Sequence, residues 1–337
     1  MRNLFFVLML TFFAIQCKEK EPVDNSVQLK ADTYSKDPLL AELTKNIETD
    51  PNNAEFWASR ARAFYERDAY DEAIGDMSAA MKIDTLNIDY HHLLADIYID
   101  YYKSRLALNT MLRAASLHPE HIPTLLKLAE LQLILEMQNE SMKSVDKILM
   151  LDPENADAYI MLGLNFKEAG DTAMAVGSFK KAVNYDPDKI SAWINMGQLQ
   201  AARNVAQAEQ YFNTAIRLDS LNTNTWLCKA DYHWEKGEKN KALETYRKII
   251  EIDHRLPDAY YNSGLVYLEM DSLEQALKHF NLTVEINPLF YKAYYYKGLT
   301  LEKQGKPEAA KEFYQQSLNM APNFDKPRKA LDALNTK

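Results

Sequence analysis

Residues 156–187 of this 337-residue chain read ADAYIMLGLNFKEAGDTAMAVGSFKKAVNYDP, and this stretch decides the fold. Each half contains a residue with little or no side chain, Gly163 in the first and Ala175 in the second. Between them lies Gly170-Asp171, where a glycine can take the left-handed conformation that ends a helix. Because small residues let two helices approach closely, the stretch predicts a helix, a turn and a second helix that touch at Gly163 and at Ala175.

The pattern recurs with a period of 34 residues. The units are bounded by nine marker residues, with one interval of 33 before Ser220. They are Pro51, Thr85, Pro119, Pro153, Pro187, Ser220, His254, Pro288 and Pro322. The first small series is Ala61, Ala95, Ala129, Gly163, Gly197, Ala230, Gly264 and Gly298. The second is Ala73, Ala107, Ser141, Ala175, Ala208, Ala242, Ala276 and Ala310. A fixed period of this length indicates stacked repeats, so the sequence predicts eight helical hairpins.

Large residues usually stand six positions after the marker. They are Trp57, Tyr159, Trp193, Trp226, Tyr260 and Tyr294. Rings of this size are expected to fill the space that the small residues leave. Turns between the two halves of a unit are also expected at Lys236-Gly237 and Gln304-Gly305-Lys306.

These features resemble the tetratricopeptide repeat. The slots of its pattern are filled by Tyr159, Leu162-Gly163, Phe166, Ala175, Phe179, Ala182 and Pro187. The resemblance covers eight units over residues 54–324 and implies an all-α fold, a right-handed α-solenoid of tandem helix-turn-helix repeats. The third unit departs most, with Gln132, Ser141 and Ile148 where an aromatic residue and two alanines are expected.

Two further helices are expected to cap the stack. Residues 38–53, with apolar residues at helical spacing, look like the second helix of another repeat and predict an N-terminal capping helix. Residues 325–337 predict a C-terminal capping helix with Ala330, Leu331 and Leu334 on one face. Caps of this kind cover the core that an open stack would leave bare.

The first twenty residues, MRNLFFVLMLTFFAIQCKEK, have the pattern of a signal peptide. The apolar run from Leu4 to Ile15 is shorter than the ~20 residues that a membrane-spanning helix needs. It ends in Ala14-Ile15-Gln16-Cys17, which resembles the lipobox of bacterial lipoproteins, although Gln16 replaces the usual small residue. The resemblance implies a signal peptide over residues 1–16 and a lipid on Cys17. An ordinary secretory signal or an uncleaved anchor is the alternative.

Residues 17–37 have mixed charge and no helical period, so the lipidated cysteine is expected to begin a flexible tether. Membrane attachment is then expected through the N-terminal lipid only, since acyl chains hold a protein on a bilayer without spanning it. The predicted location is the bacterial cell envelope, in the outer membrane of a Gram-negative cell, on its periplasmic or surface face.

The composition excludes several classes of function. With 39 basic and 48 acidic residues the net charge is -9, and nucleic-acid binding is not expected because it needs a basic surface. Nine glycines and twelve prolines are too few for a β-sandwich. Two cysteines, Cys17 and Cys228, provide no disulfide framework. Cys228 is expected to be a small core residue rather than a nucleophile.

The resemblance places the first helix of each repeat on a concave groove. The groove residues that it implies are Arg62, Tyr65, His92, Asp96, Ile99, Leu126, Glu130, Leu133, Ile160, Leu164, Ile194, Gln198, Leu227, Asp231, Trp234, Tyr261, Leu265, Leu268, Tyr295 and Leu299. An exposed apolar face with acids predicts a protein or peptide partner, with Trp234 and Tyr261 as its anchor pair. Alternatively, the solenoid closes on its own tail. The family's carboxylate clamp is not expected, because the acids would repel a carboxylate.

No catalysis, cofactor or metal is expected. The sequence has no Gly-rich phosphate loop, no HExxH and no GxSxG motif. The candidate metal cluster is His91, His92, His118 and His121. The alternative is that His91 packs in an aromatic slot and the other three are solvated, because zinc needs three or four ligands with fixed supporting contacts.

Four turns carry an acidic residue before a hydroxyl residue. They are Asp84-Thr85-Leu86, Asp171-Thr172-Ala173, Asp219-Ser220-Leu221 and Asp271-Ser272-Leu273. The motif resembles an O-glycosylation signal of certain secreted bacterial proteins. Helix capping is the alternative use of the same residues.

The sequence therefore predicts a membrane-anchored scaffold or adaptor lipoprotein that binds another envelope protein. The alternative is an accessory subunit of an envelope transport, secretion or outer-membrane assembly machine. A metal-dependent enzyme that uses the histidine cluster is a third hypothesis.

Overall fold

The computed structural model describes residues 36–203, 205 and 207–335, and every regular element in these ranges is an α-helix. The chain divides into two compact units, Met1–Pro119 and Glu120–Lys337. The first unit contains α1 (Pro38–Thr49), α2 (Ala54–Tyr65), α3 (Tyr70–Ile83), α4 (Ile88–Asp100) and α5 (Ser104–Leu117). The second unit contains α6 (Ile122–Ile134), α7 (Gln138–Leu151), α8 (Ala156–Glu168), α9 (Thr172–Tyr185), α10 (Ile190–Ala201), α11 (Ala208–Leu218), α12 (Thr223–Glu235), α13 (Lys239–Ile252), α14 (Pro257–Glu269), α15 (Leu273–Ile286), α16 (Tyr291–Lys303), α17 (Pro307–Met320) and α18 (Asp325–Asn335).

Consecutive helices pair into eight helix-turn-helix hairpins. The first unit holds α2–α3 and α4–α5, and the second holds the six hairpins from α6–α7 to α16–α17. The predicted fold class, an all-α solenoid fold of tandem repeats, is confirmed. No helix in the described ranges combines the length and the apolar character that a membrane span requires.

Single helices precede and follow the hairpins where capping helices were predicted. In the first unit α1 packs on α2 and buries Leu40 and Ile47. In the second unit α18 lays Ala330, Leu331 and Leu334 on the core of the last hairpin. An amphipathic helix of this kind closes the apolar end of a stack.

Four first helices begin after an asparagine that caps them. Asn155 Oδ1 accepts a hydrogen bond of 2.9 Å from the backbone N–H of Ala158, and Asn53, Asn87 and Asn222 cap their helices in the same way. The first turn of a helix leaves backbone N–H groups without partners, and the cap satisfies one or two of them.

In seven of the eight hairpins the inner turn carries one described residue with positive φ. At the predicted turns Gly170, Gly237 and Gly305 have φ of 76°, 75° and 74°. The equivalent residues of four other hairpins are Asp68 (56°), Tyr102 (58°), Glu136 (59°) and Asp271 (55°). The hairpin geometry therefore imposes the left-handed conformation even where a side chain makes it costly.

The two helices of a hairpin touch where a small residue meets a large one. A Cβ atom built on Gly163 would lie 2.6 Å from Cε1 of Phe179. The other glycine contacts are Gly197 with Phe212 (2.5 Å), Gly264 with Phe280 (2.7 Å) and Gly298 with Tyr314 (2.7 Å). All four rings belong to second helices, so the expectation that first-helix aromatics fill this space is corrected. Both small series are confirmed as buried contact positions.

The first-helix aromatics have a different role. Most are half-buried, and five of the six donate a hydrogen bond to the carbonyl oxygen of their own marker. The pairs are Trp57 with Pro51 (2.9 Å), Tyr159 with Pro153 (3.2 Å), Trp193 with Pro187 (2.8 Å), Trp226 with Ser220 (2.9 Å) and Tyr260 with His254 (3.3 Å). In these five hairpins the bond ties the start of the first helix to the loop that precedes it.

The third hairpin replaces part of this apolar contact with buried hydrogen bonds. Ser141 Oγ donates to the carbonyl oxygen of Ala129 at 2.8 Å and accepts from Asn165 Nδ2 at 2.9 Å. Ser144 Oγ donates to Oε1 of the buried Gln132 at 2.8 Å. Because buried polar groups cost little when they are paired, the departures from the repeat pattern leave the hairpin intact.

Candidate functional site

Every predicted groove residue lies on the first helix of a hairpin, as the register requires. Their exposure differs along the series. Arg62, Glu130 and Gln198 are exposed, most of the others are half-buried, and Ile160 and Ile194 are only 9% and 7% exposed. Ile160 and Ile194 are therefore buried residues, and Ile160 belongs to the same core cluster as Ala175 and Phe179. The expected continuous exposed apolar strip is absent from the described residues.

In the first unit a groove side chain is already occupied by a contact within the unit. Tyr65 donates a hydrogen bond to the carboxylate of Asp100 on the next first helix. Burial and this carboxylate raise the pKa of Tyr65 well above its ordinary value. The hydroxyl therefore stays protonated and joins α2 to α4.

In the second unit a recess of about 470 Å³ opens between α12 and α14. It is lined by Asp231, Trp234, Glu235, Asn262 and Glu269. Trp234 is half-buried on the core of this hairpin, and its Nε1 donates to Glu269 Oε2 at 3.0 Å. The hydrogen bond links the two first helices and fixes the indole at the edge of the recess.

The carboxylates around this recess differ in their partners. Asp231 accepts a 2.6 Å hydrogen bond from the hydroxyl of Tyr246, and burial raises the pKa of Asp231 although that bond opposes the shift. Lys239 Nζ lies 3.3 Å from Glu269 Oε2 and 3.2 Å from its backbone oxygen. The exposed Glu235 side chain forms no hydrogen bond or ion pair within the described ranges. The recess thus holds three carboxylates beside one ammonium.

A smaller recess of about 230 Å³ adjoins it on the other side of α12. Its lining is Gln198, Ala201, Ala202, Phe212, Cys228, Asp231, Tyr232 and Glu235. Gln198 Nε2 donates to Cys228 Sγ at 3.1 Å, and burial raises the pKa of the thiol. Since the thiolate is the reactive form, Cys228 is poorly suited as a nucleophile. Asp231 and Glu235, one helical turn apart, border both recesses.

Tyr261 does not join Trp234 at the recess. Its ring packs against Phe290, Phe280 and Tyr296, with centroids 4.9, 6.2 and 5.9 Å away. Phe280 lies on α15, Phe290 in the turn after it and Tyr296 on α16, and Tyr261 is half-buried among these rings. Of the predicted anchor pair, Trp234 lines the recess and Tyr261 does not, and Asn262 lies where Tyr261 was expected. The anchor role itself stays a prediction.

Three of the four histidines have separate protein partners. His91 is fully buried, and its Nδ1 lies 2.9 Å from the backbone oxygen of Asn87. His118 Nε2 lies 2.7 Å from the backbone oxygen of Leu86, and His121 Nδ1 lies 2.8 Å from Thr124 Oγ1. In the part of the chain that the structure describes, no group of three or more His, Cys, Asp or Glu side chains is placed to hold a metal ion.

At three of the four acid-hydroxyl turns the aspartate organises the backbone. The backbone N–H groups of Leu86 (3.1 Å), Met174 (3.0 Å) and Leu221 (3.0 Å) donate hydrogen bonds to the carboxylates of Asp84, Asp171 and Asp219, respectively. These contacts favour the turn and capping use, while glycosylation of the hydroxyl residues stays a prediction. Cys17, with the signal peptide and most of the tether, lies outside the described residues and also stays a prediction.

The predicted groove residues do not include Glu235, Asn262 and Glu269, although Asn262 stands in a slot where asparagine is common in the repeat. A signal for two of them was present, because Glu235 and Glu269 each stand fifteen residues after a marker, at the last residue of a first helix. The groove positions carried over from the family do not include that residue.

Family models of the tetratricopeptide repeat match residues 156–189, 230–271, 257–288 and 291–324, all in the second unit. The chain therefore carries tetratricopeptide repeats. Among solved structures, a tetratricopeptide repeat protein from Parabacteroides merdae matches with a TM-score of 0.57 at 20% identity, over 74% of this chain and 99% of that one. The complex Cut9-Hcn1 matches with a TM-score of 0.54 at 15% identity, over 92% of this chain and 59% of that one. At these identities the likeness shows the fold.

Curated relatives match over shares of their length below one half. The human protein O-mannosyl-transferase TMTC3 is 24% identical over 227 residues, which cover 66% of this chain and 22% of the transferase. The human mitochondrial import receptor subunit TOM70 is 21% identical over 274 residues, which cover 76% of this chain and 45% of the receptor subunit. The shared part agrees with a repeat fold of the protein-binding type.

Proposed function

We propose that this protein is an adaptor of the bacterial cell envelope, anchored by a lipid on Cys17, that binds a protein or peptide partner on the first-helix face of its second unit. The observation that carries the proposal is Trp234, a large aromatic residue fixed at the rim of a 470 Å³ recess and flanked by a second recess. Fixed aromatic residues beside open pockets are the usual anchors of protein interfaces.

Binding is proposed in place of catalysis. Two distant relatives are transferases by name, TMTC3 and SPINDLY of Hordeum vulgare, and the human relative TOM70 is by name an import receptor subunit. The last name favours the second candidate function, an accessory subunit of an envelope transport machine. In both cases the first-helix face would meet the partner.

The binding face is tested by site-specific photo-crosslinking in native membranes. A photoreactive phenylalanine analogue replaces Trp234 in one variant and Tyr185 in the matched control, which is 45% exposed on a second helix. We expect one discrete covalent adduct from position 234 and none from position 185. Adducts of equal yield at the two positions, or none at position 234, would refute the proposed face.

The anchor is tested separately with Cys17→Ser. Wild-type protein is expected in the membrane fraction with a mature mass that includes a diacylglyceryl group on Cys17, and the variant is expected to be unprocessed or released. Fractionation of outer and inner membranes then tests the outer-membrane location. Mass spectrometry of a mature wild-type chain with an unmodified Cys17 would rule out the lipid anchor.

A further inference from the structure

The first-helix face around Trp234 has an excess of negative charge as well as two open recesses. Asp231 and Glu235 stand one helical turn apart on α12 and line both recesses, and Glu269 on α14 completes the larger one. The single cation in contact with these carboxylates, within the described ranges, is Lys239. The recess is therefore negative at neutral pH and would repel an acidic ligand.

The helix ends add to this field. Asp100, Glu168, Glu235 and Glu269 are the last residues of α4, α8, α12 and α14. The C-terminal end of a helix already bears a partial negative charge, so an acidic residue there is unfavourable for the isolated helix. At Glu235 and Glu269 the carboxylate and the helix end reinforce each other beside the recess. A cation bound there would neutralise both.

The chain itself shows such a cation in place. The Lys239 ammonium contacts both the carboxylate and the backbone carbonyl oxygen of Glu269, at 3.3 and 3.2 Å. This pair of acceptors is the arrangement expected for an ammonium or guanidinium at a helix C-terminus. Glu235 is the equivalent residue of the preceding repeat, and its side chain has no ion-pair partner among the described residues.

From this charge complementarity we propose that the partner is a cationic peptide segment, whose arginine or lysine side chains enter the two recesses beside Glu235 and whose path crosses Trp234. The proposal deepens the proposed function and rests on it. An arginine suits the site because its guanidinium can bind a carboxylate with two hydrogen bonds and stack on an indole face. Extended peptides also present alternate side chains on one side, which fits a row of recesses.

The test uses the full chain in detergent and three fluorescein-labelled nonapeptides. They share a Gly/Ser background and carry at three alternate positions arginine, its neutral isostere citrulline, or glutamate. Fluorescence anisotropy at 25, 150 and 400 mM NaCl gives the dissociation constants. We expect the arginine peptide to bind roughly tenfold or more tightly than the citrulline peptide at low salt, with the difference shrinking as salt screens the charges. Binding of the glutamate peptide as tightly as the arginine peptide would overturn the proposal.

Matched variants distinguish an effect of the carboxylates at the recess from an effect of the net charge of the protein. Glu235→Gln is expected to weaken binding of the arginine peptide roughly three- to tenfold. The double variant Glu235→Gln, Glu269→Gln is expected to weaken that binding further. Glu285→Gln changes the net charge by the same amount at an exposed position of α15, and less than a twofold effect is expected. Equal effects of Glu235→Gln and Glu285→Gln would show attraction by net charge alone and overturn the proposal. A position-234 adduct without arginine-peptide binding would refute the cationic partner while leaving the binding face standing.

Discussion

Replacing Gly163 with alanine tests the packing rule of the hairpins directly. The new Cβ would lie 2.6 to 2.8 Å from three ring atoms of Phe179, which is closer than side chains approach. Phe179 is fully buried, so its ring cannot yield without moving the surrounding core. Overpacking of this kind costs ~1–3 kcal/mol, while alanine in a helix interior is favoured over glycine by ~1 kcal/mol. The net expectation is a loss of up to about 2 kcal/mol.

A control and a rescue are available in the same hairpin. Gly177 lies within α9, and a Cβ there would meet nothing within 4 Å, so Gly177→Ala should gain up to ~1 kcal/mol. Phe179→Met removes the ring from the contact. The double variant Gly163→Ala, Phe179→Met recreates the alanine–methionine pairing that the first two repeats carry at the equivalent positions. It should be more stable than the sum of the two single changes by ~1 kcal/mol or more.

The assay is urea unfolding of the full chain followed by far-UV circular dichroism, with hydrogen exchange of the α8 and α9 amides as a local probe. Coupling between repeats is expected to spread the loss to neighbouring hairpins. The same sign for Gly163→Ala and Gly177→Ala, or strict additivity in the double variant, would refute the assigned contact.

Three further changes have defined outcomes. Tyr102→Gly should raise the melting temperature, because Tyr102 has φ of 58° and is 94% exposed, and relief of the left-handed strain is worth ~1 kcal/mol; a lower melting temperature would contradict this. Ser141→Ala should cost about 1–3 kcal/mol in urea unfolding, because the buried Asn165 amide loses an acceptor; a neutral result would show that the amide finds another partner. His279→Phe should reduce the acid sensitivity of folding. Burial lowers the pKa of His279 to about 4 from an ordinary 6.5. As the pH falls, the unfolded chain therefore binds the proton before the folded chain does. The free energy of unfolding of the wild type falls by up to about 2–3 kcal/mol as the pH is lowered from 6.5 to 4. Parallel pH profiles for wild type and His279→Phe would rule this out.

The fold could be predicted from sequence because a period of 34 residues repeats each constraint. One ambiguous glycine would indicate little, but small residues at the same place in eight units leave one interpretation, a close contact between two helices. The turn glycines were predictable for the same reason. Hairpins that place Tyr102 or Glu136 at the left-handed position gave no local signal, since there the surrounding helices impose the geometry.

The helices that carry the candidate site were predictable from the sequence, but the exposure and packing of their residues were not. Family positions placed the groove residues on the first helices, but they could not show that Ile160 and Ile194 are buried or that Tyr261 packs against Phe290. The exposure of a first-helix position depends on the size of residues in the adjacent repeats. The sequence of one repeat therefore does not determine it.

The pairing of small and large residues links the core of a hairpin to the recess on its surface. In the four repeats whose first small residue is glycine, the residue packed on it is Phe179, Phe212, Phe280 or Tyr314. In the first two repeats an alanine occupies the small position and a methionine, fully buried, occupies the large one. The sixth repeat combines Ala230 with Tyr246, and its ring directs the hydroxyl to Asp231 at the recess. This pair departs from the volume matching of the other repeats. The packing inside the sixth hairpin thus extends to its surface, because the hydroxyl of its core ring holds a carboxylate that lines the recess.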